Sequence, residues 1–246
     1  VPKATSLKLL TAGFIVRGCN STLILGIGNV LWADEGFGVR TVETLHRYYK
    51  FPENVTVMDG GTQGLYLLQH VQAADILVIF DAIDYGLEPG TMRLIEDENV
   101  PGFLGAKKMS LHQTGFQEVL ATAEMLGHRP QQILLVGVQP VELEDFGGSL
   151  RSQMKARIRP AIDAALAWLS RRGIEAQQRK QPLSPDQTLA GAAIALERYE
   201  IGRPSEEEAC RFGDTRVLES PLYEVAPRPH SVEGAMRVNV DQRRKD

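Results

Sequence analysis

Residues 21–40 read STLILGIGNVLWADEGFGVR, and the fold is decided in that stretch. The apolar run over residues 23–27 is too short for a helix and ends on Gly26, Gly28 and Asn29, which predicts a buried strand stopping in a sharp turn. Asp34 and Glu35 follow, then Gly36 and Gly38, and then Val39, Val42, Leu45 and Tyr49 recur at helical spacing. Two carboxylates thus stand between the carboxyl end of a buried strand and the start of a helix, where open α/β sheets place their ligands.

The same pattern repeats downstream. Residues 55–58 form a β-branched run ending in Asp59-Gly60-Gly61-Thr62, and Leu65, Leu68 and Val71 then predict a helix over 63–72. Residues 76–80 are apolar without alternation, as a strand covered on both faces should be, and stop at Asp81. The Pro89-Gly90 turn introduces a strand over 91–95. It follows the previous one so closely that an antiparallel edge position is expected. A helix over 110–126 opens with a capping box, Ser110 with Gln113 or Thr114 with Gln117, and turns Phe116, Val119, Leu120 and Ala123 to one side. A last buried strand spans 133–138. A helix over 153–169, with Met154, Ile158, Ile162, Ala165 and Leu169 inward, closes the pattern.

Five strands alternating with four helices predict a three-layer α/β domain over residues 21–173. Its sheet is expected to be five-stranded, twisted and mostly parallel, with helices on both faces, of the phosphorylase/hydrolase-like kind. Residues 1–20 carry Lys3, Lys8 and an apolar run over 9–16 without an Ala-x-Ala-like site, too short to span a bilayer. They are expected to be an N-terminal appendage. Residues 174–246 hold Pro182, Pro185, Pro204, Pro221, Pro227 and Pro229 among many charges, with one apolar helix candidate at 189–196. A mostly extended C-terminal tail is expected.

With 246 residues, 43% of them hydrophobic and 24% charged, the chain can bury one good core. A net charge of −4 argues against nucleic acid as a partner, because phosphate binding asks for a basic surface. Cys19 and Cys210 have no close second cysteine, so neither a disulfide framework nor a zinc knuckle is encoded. With no membrane segment in view, a monomer in the cytoplasm is the expectation.

Glu35 follows the first strand, Asp81 follows the third, and His112 sits at the start of a helix. Carboxyl ends of neighbouring parallel strands share one rim, so the three can converge into an oxygen and nitrogen donor set suited to a divalent transition metal. Asp34 either caps the following helix or supplies chemistry, and Trp32 is either core or a lip of the site. His46, His70, His128 and His230 have no motif around them and read as surface or packing residues. The rival is a dinucleotide site. Gly26-Ile27-Gly28 imitates its opening and Asp59 stands where a ribose-binding acid would, but Leu31 occupies the place of the third glycine. No Gly-x-Ser-x-Gly elbow, P-loop or pair of Asp-Thr-Gly loops is present.

Taken together, Gly26-Ile27-Gly28-Asn29-Val30-Leu31, Asp34-Glu35, Gly38-Val39-Arg40, Asp59-Gly60-Gly61-Thr62, Asp81-Ala82, Pro89-Gly90-Thr91, Ser110-Leu111-His112-Gln113 and Val136-Gly137-Val138 resemble the hydrogenase maturation proteases, the hydrogen-uptake type most of all. The likeness covers residues 21–173. It implies an aspartic-type endopeptidase that removes the C-terminal peptide of a nickel-iron hydrogenase large-subunit precursor after nickel insertion. It also implies that Glu35, Asp81 and His112 bind the metal, nickel delivered with the precursor or else another divalent ion. Asp34 or Asp59 would then act as base. The alternative in a different class is a nucleotide- or metal-binding α/β module without a hydrolytic step.

Overall fold

The computed structural model describes residues 21–101, 111–189 and 194–202, and for 111–114 the backbone alone. Strand β1 (Thr22–Ile27) lies second from one edge of a five-stranded sheet, between β3 (Val55–Gly61) at that edge and the central β4 (Ile76–Ala82), both parallel to it. Beyond β4 come β6 (Gln132–Val138), parallel, and β5 (Met92–Glu96), antiparallel at the edge. The three-layer, mostly parallel sheet expected from the sequence is therefore present. The short 83–91 connection returns the chain as an edge strand because too few residues are available for a crossover.

The strands are hydrophobic on both sides because both sides are covered. Alternate residues Ile24, Val78, Phe80, Leu134 and Val136 face helices α1 (Phe37–Tyr48) and α4 (Ser152–Ser170). Leu23, Leu25, Ile27, Leu77, Ile79 and Leu135 face the opposite layer, built from α2 (Leu68–Gln72) and α3 (Leu111–Met125). Each such side chain, removed from water, contributes about 1.5–3 kcal/mol. Helix α4 buries Met154, Ile158, Ile162, Ala165 and Leu169, all expected. Close seating of α1 depends on Gly38. A Cβ there would come within 2.1 Å of the Phe80 carbonyl oxygen and 2.3 Å of that of Ile27.

Two expectations need correction. Residues 63–72 do not form one helix: a 3-10 turn over Gly64–Leu67 precedes the short α2, because Gly64 adopts φ +53°. Leu67 is buried in place of Leu65, which is 54% exposed. Residues 174–189 and 194–202, assigned to an extended tail, lie against α1 instead. Ile174 and Ala195 are buried, β2 (Tyr49–Lys50) pairs antiparallel with β7 (Gln177–Gln178), and α5 (Leu196–Gly202) occupies the end of this segment. Two-residue strands and contacts made with polar side chains leave no periodic signal. The appendage 1–20, Ser110 and the capping side chains of Gln113 and Thr114, and residues 203–246 with His230 lie outside what the structure describes.

Candidate active site

The turn after β1 sets the site's geometry. Gly28, at φ +133°, brings the chain so near the following turn that a Cβ would stand 1.8 Å from the Glu35 carbonyl oxygen. The chain then enters a 3-10 turn, Ala33–Gly36, that packs on β4 and leads into α1. Because α1 covers one face of the sheet while the connection after β4 leads towards α3 on the other, the two chains diverge between β1 and β4. That is the switch point at which such sheets bind ligands.

Glu35 stands half-buried at this point, on the β1 side. Asp81 stands on the β4 side, fully buried, and strand alternation turns it to the face of Ile79 and Ile83, the α3 layer. Helix α3 begins at Leu111, so His112 lies in its first turn; the backbone of Gly115, within the same helix, abuts Gly64, with a built Cβ 3.4 Å from the Gly64 Cα. The elements bearing Glu35, Asp81 and His112 thus come from the carboxyl-end rim of the sheet. Among the described side chains, which do not include that of His112, no three metal-binding groups form a preassembled cage.

The two candidate bases separate cleanly. Asp34 is fully buried, and its Oδ2 accepts the backbone N–H groups of Val141 (2.8 Å) and Glu142 (2.9 Å) while Oδ1 accepts that of Arg151 (2.7 Å). It neither caps α1 nor offers itself as a base; it fastens the 139–151 loop to the Glu35 turn. Asp59 pairs in register with Gly26, and its Oδ1 accepts the Gly61 N–H at 2.9 Å. Burial pushes its carboxyl above the ordinary range, against the opposing pull of the Gly61 N–H and the Arg40 charge. Its alternate strand neighbours Val55 and Val57 pack in the α1/α4 layer, so Asp59 leaves the strand on the α1 side, whereas Asp81 faces α3.

Sequence reasoning passed over two residues here. Tyr85 fills the space above Gly137, where a Cβ would meet its Oη at 2.4 Å, and burial followed by the Asp81 charge pushes its phenol upward. The glycine inside Val136-Gly137-Val138 was the available signal. Gln139 shapes the loop after Asp81: its Oε1 accepts from the Tyr85 and Leu87 N–H groups (2.8 and 3.1 Å), and its Nε2 donates to Asp84 Oδ1 at 2.9 Å. Leu31 is half-exposed, its carbonyl accepting the Gly147 N–H, and Trp32 meets Phe146 edge-on with ring centroids 5.2 Å apart. Trp32 is half-buried and belongs to neither core cluster. His46 is held low by burial and then by the Arg179 charge, and no described helix is long and apolar enough to cross a membrane.

The family model for hydrogenase maturation proteases matches residues 39–168. The chain is 61% identical to hydrogenase expression/formation protein HupD of Thiocapsa roseopersicina over 205 residues, 83% of this chain and 93% of that one. It is 59% identical to hydrogenase expression/formation protein HoxM of Cupriavidus necator over 198 residues, 80% of this chain and 98% of that one. Among solved structures it is similar to the hydrogenase maturating endopeptidase HybD from E. coli, with 42% identity and a TM-score of 0.61, over 64% of this chain and 97% of that one.

Proposed function

Because this chain belongs to the hydrogenase maturation protease family, we propose that it is the endopeptidase that removes the C-terminal peptide of a nickel-iron hydrogenase large-subunit precursor once nickel is in place. The observation carrying this reading is that the Glu35 turn, the end of β4 with Asp81 and the first turn of α3 with His112 meet the same rim of the sheet. Two carboxylates and one imidazole, with no thiolate anchor, are a donor set that accepts nickel without holding it alone. Nickel then arrives as cargo of the precursor, and Glu35, Asp81 and His112 hold it during cleavage. In that position it supplies Lewis acidity at the scissile carbonyl.

Asp59 is the base in this reading, since the oxygens of Asp34 are taken up by backbone N–H groups and Asp59, although it leaves β3 on the α1 face, stands at the same carboxyl-end rim as Asp81. It accepts a proton from the attacking water as the water oxygen bonds to the carbonyl carbon, and that proton passes to the amide nitrogen as the C–N bond breaks. The term aspartic-type fits in the sense that Asp59 and Asp81 take part, without a pepsin-like dyad. Two cysteines far apart in sequence suit a reducing compartment, and the cytoplasm is the proposed location.

Intact-mass analysis of a nickel-loaded precursor, with and without the protein, is the test. The precursor should lose its C-terminal peptide in buffer without added metal, while the apo-precursor stays whole even with zinc supplied. Glu35→Gln, Asp81→Asn and His112→Ala should each abolish the mass change and keep a cooperative unfolding transition. A precursor of unchanged mass after incubation with the wild-type protein would sink the peptidase reading. Full activity in any one variant would remove that residue from the site.

A further inference from the structure

Residues 177–189 and 194–202 run back along α1 as a strap. The Arg179 and Leu183 N–H groups donate to the carbonyls of Tyr48 and Arg47, and the Arg179 Nε donates to the Tyr49 carbonyl at 3.1 Å. Arg40, 2% exposed, donates from Nη1 to the Ile194 carbonyl at 2.5 Å and to Glu43 at 2.9 Å, and its guanidinium lies 5.4 Å from the Tyr199 ring centre. Leu196 N–H donates to Glu43, and Arg47 pairs with Glu197 at 2.8 Å.

The far end of the strap grips something else. Tyr199 Oη donates to the Gly148 carbonyl at 3.4 Å, the Ser149 hydroxyl donates to Glu200 at 2.5 Å, and Glu200 also pairs with Lys155. Gly148 and Ser149 belong to the 139–151 loop that Asp34 fastens from the opposite side. Between the two grips stands Phe146, 65% exposed and bridged to Trp32, three residues before Glu35. Apart from its edge-on contact with Trp32, this ring is left in water, next to the turn that carries the candidate nickel ligand Glu35.

We propose that the strap is a positioning element for this lip: by fixing Gly148 and Ser149 it sets the Trp32–Phe146 ring pair, which receives an apolar side chain of the precursor's C-terminal segment next to the scissile bond. The inference rests on the peptidase reading above. The lip with its strap acts on substrate capture and not on bond cleavage.

The test uses the full chain and a nickel-loaded large-subunit precursor, measuring KM and kcat for processing, Kd for the precursor by calorimetry, and the thermal midpoint. Phe146→Ala and the double variant Tyr199→Phe/Glu200→Ala should each raise KM and Kd about tenfold while kcat stays within about twofold. Glu200→Gln, which still accepts the Ser149 hydroxyl, should restore most of the affinity. Combining Phe146→Ala with the strap variant should add little to either, since both act through the same rings. The inference is overturned if the strap variants lower the midpoint with KM and Kd unchanged, or if their effects simply add to that of Phe146→Ala. Should the wild-type protein bind the precursor without shortening it, the peptidase reading fails, and the strap is then judged on Kd against the same expectations.

Discussion

Asp34, in the turn that follows β1, and Asp59, near the end of β3, are both acids, yet their surroundings give them opposite tasks. The Asp34 carboxylate satisfies three backbone N–H groups 107 to 117 residues away, so Asp34→Ala should cost about 3 kcal/mol or more of unfolding free energy in urea titrations. Asp34→Asn, which keeps one acceptor oxygen, should cost less. Asp59 behaves in reverse because its carboxyl is raised, by burial first. A raised folded value means that the folded state binds the proton more tightly than the unfolded chain does. The stability from Asp59 is then fully present below the ordinary carboxylate range and is lost as pH rises through the raised value. Asp59→Asn should therefore raise the urea midpoint at pH 7, while slowing processing about a hundredfold or more if Asp59 is the base. A lower midpoint for that variant would contradict the assignment of burial as the dominant cause.

Helix α1 is the element on which site and strap both depend. Its inner face needs Gly38 for contact with β1 and β4, and its outer face carries the buried Arg40–Glu43 pair that the strap covers. Arg40→Ala would leave Glu43 buried without its cation, at a cost of about 3–5 kcal/mol. Arg40→Met combined with Glu43→Leu removes both charges together and should recover most of that loss. Chemical denaturation of the two variants checks the pair, and an equal loss in both would show that the charges are not what matters. The outer face of α1 also explains why the strap escaped periodicity reading. It is held by a guanidinium, carboxylates and main-chain carbonyls, groups that a hydrophobic pattern does not mark.

At the scale of the whole molecule, the sheet separates two apolar layers, and the domain does not close at residue 173. Ile174 is buried in the α1/α4 layer, and the strap shields the Arg40–Glu43 pair. Truncation after Gly173 should leave a cooperative unfolding transition but lower its free energy by about 3 kcal/mol or more, the scale of disturbing one buried ion pair. A truncated chain as stable as the full one would show the strap to be thermodynamically idle. Metal content belongs to this scale as well. If nickel comes with the precursor, the purified protein should hold substoichiometric metal by elemental analysis, whereas one tightly held zinc per chain would describe an ordinary metalloprotease.

Local physics sufficed for the sheet. Apolar runs without alternation at 23–27, 76–80 and 133–138 demand cover on both faces, and glycine- or acid-rich strand ends demand turns, so the parallel core and its functional rim are legible residue by residue. Glu35, Asp81 and His112 could be named as candidates for the same reason, since strand ends and helix starts are local events. The roles of chemically identical groups were not local. Asp34 became a loop fastener because main-chain N–H groups more than 100 residues away converge on it, and Asp59 acquired a raised carboxyl through burial. The strap and the exposed Phe146 beside Trp32 likewise exist only through pairings between segments distant in the chain. Those pairings are long-range polar and aromatic contacts, which have no period, and so the tertiary structure alone decided them.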